Sequence, residues 1–504
     1  MTVRWWSRVT AFITLAAAWK LLAPAVADPD LWGHILFGRR TLALGLERED
    51  PFSYLSGDHP WINHEVLSEV AFGFLYDLGG PVALTCLKLA VALATVAIIY
   101  RYLIGKGSDP LRAGLLLVAA IFLMIPGFTT VRPQMFSFLF FCLTVLALSR
   151  IDDGDDRWLL ALPVILAVWI NFHGGVLAGV GVMGVWGLAR VFEAWTSERR
   201  VESLRALARP ATTGLACALA LLANPYGWGL PRFLLETATV PRPDIIEWQP
   251  IDVGSATGVI WVVLTVFAAV TVARSPEPKR PTRLALLATV VLLPLSAVRH
   301  VQLFAIALPI LIAGDLAIVW RRESAPQTAG RRDMILVGGV TLLAGTALIG
   351  LGVRDLTCIR IDPRRAIPFP VRAVEVLRQA EVRGNVATYF DWGEYVIWHL
   401  PDVRVGMDGR RETVYPDTIY TEYLRFQHGV EGWRQVIDRP ETDLVLFSTT
   451  WPTVQLLELE PGWQTVYEDE TAAIFARTGS SLADAIRSAT PPDVPSSGVG
   501  MCVP

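Results

Sequence analysis

Charge is scarce in this chain. Only 18% of its 504 residues are Asp, Glu, Lys or Arg and 53% are hydrophobic, whereas ordinary soluble domains carry about 25% charged residues. This balance excludes a wholly soluble globular protein and fits a chain that buries most of its length in a bilayer. Lysine is rarer still: Lys20, Lys88, Lys106 and Lys279 are the only four among 44 basic residues, a bias that reads as high-GC codon usage and carries no function. The five cysteines lack the short paired spacings of a zinc motif. Cys86, Cys142 and Cys217 lie in apolar segments and read as small core residues. Cys358 and Cys502 both fall in the C-terminal part, where export would let them pair. There is no internal repeat, no phosphate-binding glycine loop and no basic patch, so a nucleic-acid partner is excluded.

What is present is a series of long apolar runs. They cover 9–27, 80–104, 111–126, 134–149, 158–171, 174–194, 210–223, 257–274, 283–298, 301–320 and 333–353. Read as transmembrane helices they make about eleven spans, some shorter than the roughly 20 residues a span needs. The first run ends in Ala25-Val26-Ala27, so it is either a cleavable signal peptide or an uncleaved first helix with Lys20 inside. The many later spans favour the uncleaved helix. Lys and Arg number 20 on the alternate loops that share the N-terminal side and 7 on the others. The positive-inside rule then predicts a cytoplasmic N-terminus, and an odd span count places the C-terminal part outside, in a plasma (inner) membrane protein. The predicted domains are a bundle over 1–353 with a large first outer loop at 28–79, an exported α/β domain over 354–480, and a disordered Pro/Ser/Gly-rich tail over 481–504.

With that orientation the polar motifs collect on one face. The first loop, ADPDLWGHILFGRR onward, holds Asp28, Asp30, His34, Asp50, Asp58, His59, His64 and Glu65. The same side receives Arg132-Pro133-Gln134, Asn171-Phe172-His173, Arg299-His300, and a loop near 224–256 with Asp244, Glu247 and Asp252. A carboxylate at this boundary can deprotonate a hydroxyl, hold a divalent cation or end a helix. Arginine can hold a lipid-linked phosphate through bidentate bonds. The segment 64–79 has helix spacing in Val66, Leu67, Val70, Ala71, Phe74 and Leu75, as an interfacial helix or as a lid packed on its neighbours. In the C-terminal part, strands are expected at 385–390, 404–407, 444–447 and 472–476, alternating with helices at 375–381, 418–426, 430–437 and 453–459.

The string ADPDLWGHILFGRR is similar to the first-loop Asp-Pro-Asp-x-x-x-His pattern of oligosaccharyltransferase catalytic subunits. Tyr389-Phe-Asp-Trp-Gly-Glu-Tyr395 is similar to their Trp-Trp-Asp-Tyr-Gly acceptor motif, and Met407-Asp-Gly-Arg410 follows it. With the odd-numbered bundle and exported domain, the chain resembles the GT-C superfamily of membrane glycosyltransferases. The resemblance implies transfer of a sugar from a polyprenyl-phosphate-linked donor to an acceptor (glycan, lipid or protein), with Asp30 or Asp28 as acid/base. It implies that His34, His64, Glu65, Arg132, Gln134, Asn171, His173, Arg299 and His300 lie on the donor-phosphate side, and Asp391, Trp392 and Gly393 near the acceptor. Two departures bear on this. The second outer loop has no Asp-x-Asp, and Phe390-Asp391-Trp392 exchanges the aromatic positions of the acceptor motif. A metal-independent enzyme using a polyprenyl-phospho-monosaccharide fits these departures. No cofactor is called for, although a divalent cation on the loop carboxylates stays open. The rival readings are a non-catalytic scaffold or sensor that uses 354–480 to read an outside ligand, and a transporter built around Lys20 and Lys88.

Overall fold

A computed structural model describes residues 3–57, 59–240, 245–321, 331–362 and 368–503. Asp58 and Asp244, named above, lie outside these residues. The chain divides into two compact units, one of Met1–Ala25 with Val82–Thr357, the other of Val26–Pro81 with Cys358–Pro504. The first outer loop thus folds with the C-terminal part, where the sequence boundaries had grouped it with the apolar spans.

The first unit is helical. Among the described residues six helices are long and apolar enough to cross a membrane: Val66–Gly105, Pro110–Phe128, Gln134–Asp152, Val176–Thr196, Ala256–Arg274 and Arg332–Leu356. A seventh span results if Val298–Leu311 and Ala313–Val319, bent by 54°, count together. By length and composition alone, the described residues thus hold fewer such helices than the eleven spans expected, and shorter apolar helices accompany them. The run at 158–171 becomes the 12-residue helix Trp158–Trp169, which rises about 18 Å against roughly 30 Å of hydrocarbon. The Val3–Leu22 helix has the length but carries Arg8, Thr10, Thr14 and Lys20. It packs on Pro110–Phe128 and Arg331–Leu356, and runs unbroken past Lys20, whose Nζ meets Asp355 Oδ2 at 2.5 Å. Lys88, fully buried, donates to the carbonyls of Ala23 (3.2 Å) and Pro24 (2.5 Å). Both lysines are therefore spent on an ion pair and on backbone acceptors just past a helix end, which accounts for their place in apolar sequence.

The second unit is built on a five-stranded sheet of β1 (Gly384–Thr388), β2 (Val403–Val405), β3 (Leu444–Ser448), β4 (Trp463–Glu468) and β5 (Ala472–Arg477) in the order β2-β1-β3-β5-β4. β1 pairs in parallel with β2 and with β3, placing Val386 beside Val405 and Leu444. β5 runs antiparallel to both β3 and β4. All five residues of β3 are buried, as a central strand covered on both faces requires. Helices Val371–Gln379, Gly393–His399, Asp417–His428 and Pro452–Glu458 accompany the sheet.

Two segments of the first loop complete this unit. Helix Leu31–Leu44 packs on Gly393–His399, with Trp32 wedged edge-on against Phe369 (4.5 Å) and Tyr395 (5.0 Å). The helix expected over 64–79 is the first part of Val66–Gly105, which breaks at Gly79–Gly80. It lies so close to Leu31–Leu44 that a side chain at Gly38 meets the Glu69 carbonyl. Between the helices, the chain at Ser53 bridges in parallel to Val405 of β2.

The tail expected to be disordered is ordered where described. Ser481–Ser488 forms a helix that buries Ala483 and Ile486, and Ser480 caps it. Beyond it, Cys502 is joined to Cys358 by a disulfide, and the backbone pairs Ile361 N–H with Met501 O and Val503 N–H with Ile359 O. Composition had suggested looseness, but the covalent bond and this short ladder supply the missing contacts.

Candidate functional site

Among the residues nominated from sequence, Asp28, Asp30, His34, His64, Glu65, Asp391, Trp392 and Gly393 belong to the second unit. Arg132, Gln134, Asn171, His173, Arg299 and His300 belong to the first.

In the second unit the first loop delivers its acids at the head of helix Leu31–Leu44. Asp28 is buried, and its Oδ1 accepts the Asp30 backbone N–H at 3.1 Å. It holds the turn that starts the helix. Asp30 occupies the N-cap position yet makes no side-chain capping bond, so its half-exposed carboxylate is not consumed by the helix end. That carboxylate lies against Gly409, at a spot shared with Oε1 of Glu394. Glu394 comes from the Gly393–His399 helix and is 4% exposed. Its Oε2 abuts Gly33 on the facing helix and has no hydrogen-bond partner. Burial, then the negative charges of Asp30 and Asp408, hold its carboxyl well above the usual carboxylate range. Glu394 is thus a buried carboxyl whose protonated form is favoured beside Asp30.

Arg410 anchors the floor of this group. Its Nε and Nη2 donate to both oxygens of Asp408 (3.0 and 2.6 Å) and Nη1 to Asp50 (2.8 Å). The rings of Phe37, Trp61 and Phe52 lie 4.8, 4.9 and 5.2 Å from the guanidinium carbon. Burial alone would lower the Arg410 pKa, but Asp408 and Asp50 outweigh it and raise it further. The carboxylates and aromatics make this a satisfied buried ion group, which fixes the Met407–Arg410 turn beside Asp30.

One helical turn beyond Asp30, His34 Nδ1 faces Glu69 Oε1 at 3.3 Å and Glu65 Oε2 at 3.7 Å. Burial pulls the imidazole pKa down, but the hydrogen bond to Glu69 and the charges of Glu65, Glu69 and Asp30 leave it raised. These three side chains offer one ligand atom each within 4.8 Å of one another, a spacing that can hold a metal ion. His64 Nε2 sits 3.4 Å from Glu65 Oε1. Asp391 lies half-exposed in the turn Phe390–Trp392. Trp392 is fully buried with its Nε1 donating to Pro368 O, and Gly393 is pressed against Asp408. Those two are packing positions.

In the first unit, Asn171 Nδ2 is spent on the carbonyls of Ala167 and Ala223. His173 Nδ1 accepts from Gly175 N–H (2.9 Å) and lies 2.8 Å from Ser137 Oγ, so a neutral ring carries its proton on Nε2. Arg299 pairs with Glu247 at 3.1 Å and lies over the Trp248 ring. His300 Nδ1 is 3.1 Å from the Leu293 carbonyl. Arg132 and Gln134 are half-buried at the start of the Gln134–Asp152 helix.

Glu394, Asp408 and Glu69 were not singled out from sequence as site residues. Glu69 follows Glu65 by one turn, a spacing that puts both on one helix face. Glu394 is a lone acid in the apolar string Trp392–Trp398, a signal of burial.

No family model matches the sequence, and no curated protein sequence matches it. Solved structures do. An oligosaccharyltransferase from Archaeoglobus fulgidus, tethered to an acceptor peptide, aligns over 88% of this chain and 69% of its own at 10% identity, with a TM-score of 0.55. ArnT from Cupriavidus metallidurans bound to undecaprenyl phosphate aligns over 96% of this chain and 99% of its own at 13% identity, TM-score 0.55. The arabinofuranosyltransferase AftD from Mycobacteria aligns over 94% of this chain and 42% of its own at 16% identity, TM-score 0.51. This multi-pass membrane chain has the fold of the GT-C glycosyltransferases.

Proposed function

We propose that the protein is a membrane glycosyltransferase that moves a sugar from a polyprenyl-phosphate-linked donor to an acceptor outside the membrane, with Asp30 as the acid/base. The observation that carries this reading is the place of the Asp30 carboxylate at the head of a helix, against Gly409 and beside the buried carboxyl of Glu394. The Asp30 carboxylate is half-buried at the N-cap position and backed by a buried acid. Asp28, by contrast, is occupied by the turn. Within the reaction, Asp30 accepts the proton of the acceptor hydroxyl as that oxygen attacks the anomeric carbon. The bond from carbon to phosphate oxygen breaks, and the polyprenyl phosphate leaves with the electron pair. Glu394 and the Arg410 group hold Asp30 in place from behind. The Cys358–Cys502 disulfide supports an oxidising, extracytoplasmic side for this unit, in agreement with the loop charges.

The test is sugar transfer in membranes given a labelled polyprenyl-phosphate sugar pool. Asp30→Asn is expected to lose about 10²–10⁴-fold in rate while inserting normally, and Asp28→Asn to act mainly on folded yield. Undiminished transfer by Asp30→Asn would remove Asp30 from the mechanism. Absence of both transfer and donor binding in the wild type would leave the scaffold reading in its place.

A further inference from the structure

We infer that a groove in the helical unit, lined by Arg112, Leu116, Leu264 and Trp320, binds one anionic phospholipid, with its phosphate on Arg112 and an acyl chain along the leucines. The inference stands apart from the sugar-transfer reading and uses none of the first-loop acids. Its first ground is shape. Helix Ala256–Arg274 packs on both Pro110–Phe128 and Ala313–Val319, and the three leave between them an open groove of about 270 Å³. Leu116, Leu264 and Leu316 form its buried floor, while Leu115 and Val263, which also line it, are exposed. Trp320 makes a fixed wall, held by its Nε1 bond to Thr271 Oγ1 (2.9 Å) and stacked on Phe267.

The second ground is charge. Arg112 lines the same groove, half-buried in the first turn of Pro110–Phe128. Its Nη1 is shut off from solvent and meets no hydrogen-bond partner among the described residues. A guanidinium nitrogen left in that state is costly, and within a membrane such a group is normally paired. The lining helices and their caps hold two acids. Asp109, at the cap, accepts the Arg112 backbone N–H at 3.1 Å through Oδ1. Asp315, fully buried, faces Arg283 at 3.1 Å and Lys279 at 4.0 Å. Neither satisfies Nη1.

A phosphate supplies what is lacking, because guanidinium holds its oxygens through paired N–H bonds. The setting makes a lipid its source. Pro110–Phe128 and Ala256–Arg274 are both long and apolar enough to cross a membrane, so the groove between them opens onto acyl chains. Arg112 stands at the start of its helix and Leu115 and Leu116 one turn deeper, the order of headgroup and chain in a leaflet. Arg274 and Arg321, both exposed, end the other two lining helices. All three arginines belong to the Lys/Arg-rich set of loops, the side on which basic pockets between membrane helices take acidic head groups. A zwitterionic headgroup brings its own cation, so the net attraction is left to an anionic one.

The test uses the full-length chain in detergent, delipidated and then incubated with phosphatidylglycerol or phosphatidylcholine. Bound lipid per chain is read by native mass spectrometry, and thermal midpoints are measured in parallel, with inorganic phosphate as a third additive. The wild type is expected to retain one phosphatidylglycerol in clear preference to phosphatidylcholine and to gain several degrees from it. Arg112→Gln is expected to lower that retention about tenfold, the size of one lost charge-assisted bond. Val263→Trp, which fills the groove from an exposed position, should do the same with Arg112 intact, and keeps the test open should Arg112→Gln misfold. Arg199→Gln, on an exposed ion pair, serves as control and should retain the lipid. A wild type that keeps no phosphatidylglycerol, as when a second copy or the chain's own segment 322–330 fills the groove, overturns the site. So does equal retention of the two lipids, the full gain from inorganic phosphate alone, or a folded Val263→Trp that still holds the lipid, whether or not the chain transfers sugar.

Discussion

At the scale of single residues, the buried acid Glu394 makes stability depend on pH in a direction opposite to that of a salt-bridged carboxylate. Its folded pKa is raised by burial and then by Asp30 and Asp408, with Glu69 adding and Arg410 opposing. Below its ordinary value of 4.5 both folded and unfolded forms are protonated and nothing is lost. Above that value the unfolded chain releases the proton while the folded one keeps it. Stability therefore falls with rising pH, by up to about 1.4 kcal/mol per unit, until the folded group also ionises. Glu394→Gln, which is close in shape and cannot ionise, escapes this loss. Its melting temperature relative to wild type is expected to climb as the pH is raised from 5 toward 8 in thermal scans of the purified protein. A difference that stays flat across that range would show Glu394 ionised in the fold. Arg410 makes a second residue-level case. Arg410→Met leaves Asp50 and Asp408 buried without their partner, and breaking such a group costs about 3–5 kcal/mol, readable as a fall in the denaturation midpoint. The sequence exposed the first-loop acids because they interrupt a greasy chain. It concealed Glu394, whose meaning depends on Gly33 and Gly409 being small enough to admit its carboxyl between helix and turn.

At the scale of elements, the approach of Leu31–Leu44 to the start of Val66–Gly105 sets where Glu69 stands. Gly38→Ala places a methyl into the Glu69 carbonyl, and overpacking of this kind costs about 1–3 kcal/mol. The variant is expected to show lower folded yield together with a lower thermal midpoint, whereas Gly214→Ala, where a methyl meets nothing, should change neither. Helices and strands with a clean apolar stripe were readable in advance: 64–79, 418–426, β3 and β5 all stand close to where periodicity put them. β4 was missed because Trp463–Glu468 alternates only weakly and lies at the sheet edge. Gly393–His399 was missed because an almost wholly buried short helix has no polar face to betray its period.

At the scale of the whole molecule, the sequence disclosed the membrane class and an α/β part but not that residues 26–81 and 358–504 fold as one unit. Nothing in local pattern reports a pairing between Ser53 and Val405, or between Arg360 and Cys502. The Cys358–Cys502 bridge spans 144 residues of sequence, and losing such a bond typically costs about 2–5 kcal/mol. Cys502→Ser is expected to lower the unfolding midpoint of the full chain and to free the tail to proteolysis near 489–503, while a reducing agent does the same to wild type. The divided unit also has a consequence in time. Synthesis at about 5–20 residues per second sets roughly 14–55 s between the emergence of Pro81 and that of Cys358, because 276 residues, Val82 to Thr357, intervene. A chain halted before Cys358 should accordingly be cut by protease within 28–79, where the finished protein resists. Throughout that interval the loop bearing Asp30 has no sheet to fold onto, so the newborn protein passes through a stage with its acids delivered and its chemistry still unassembled.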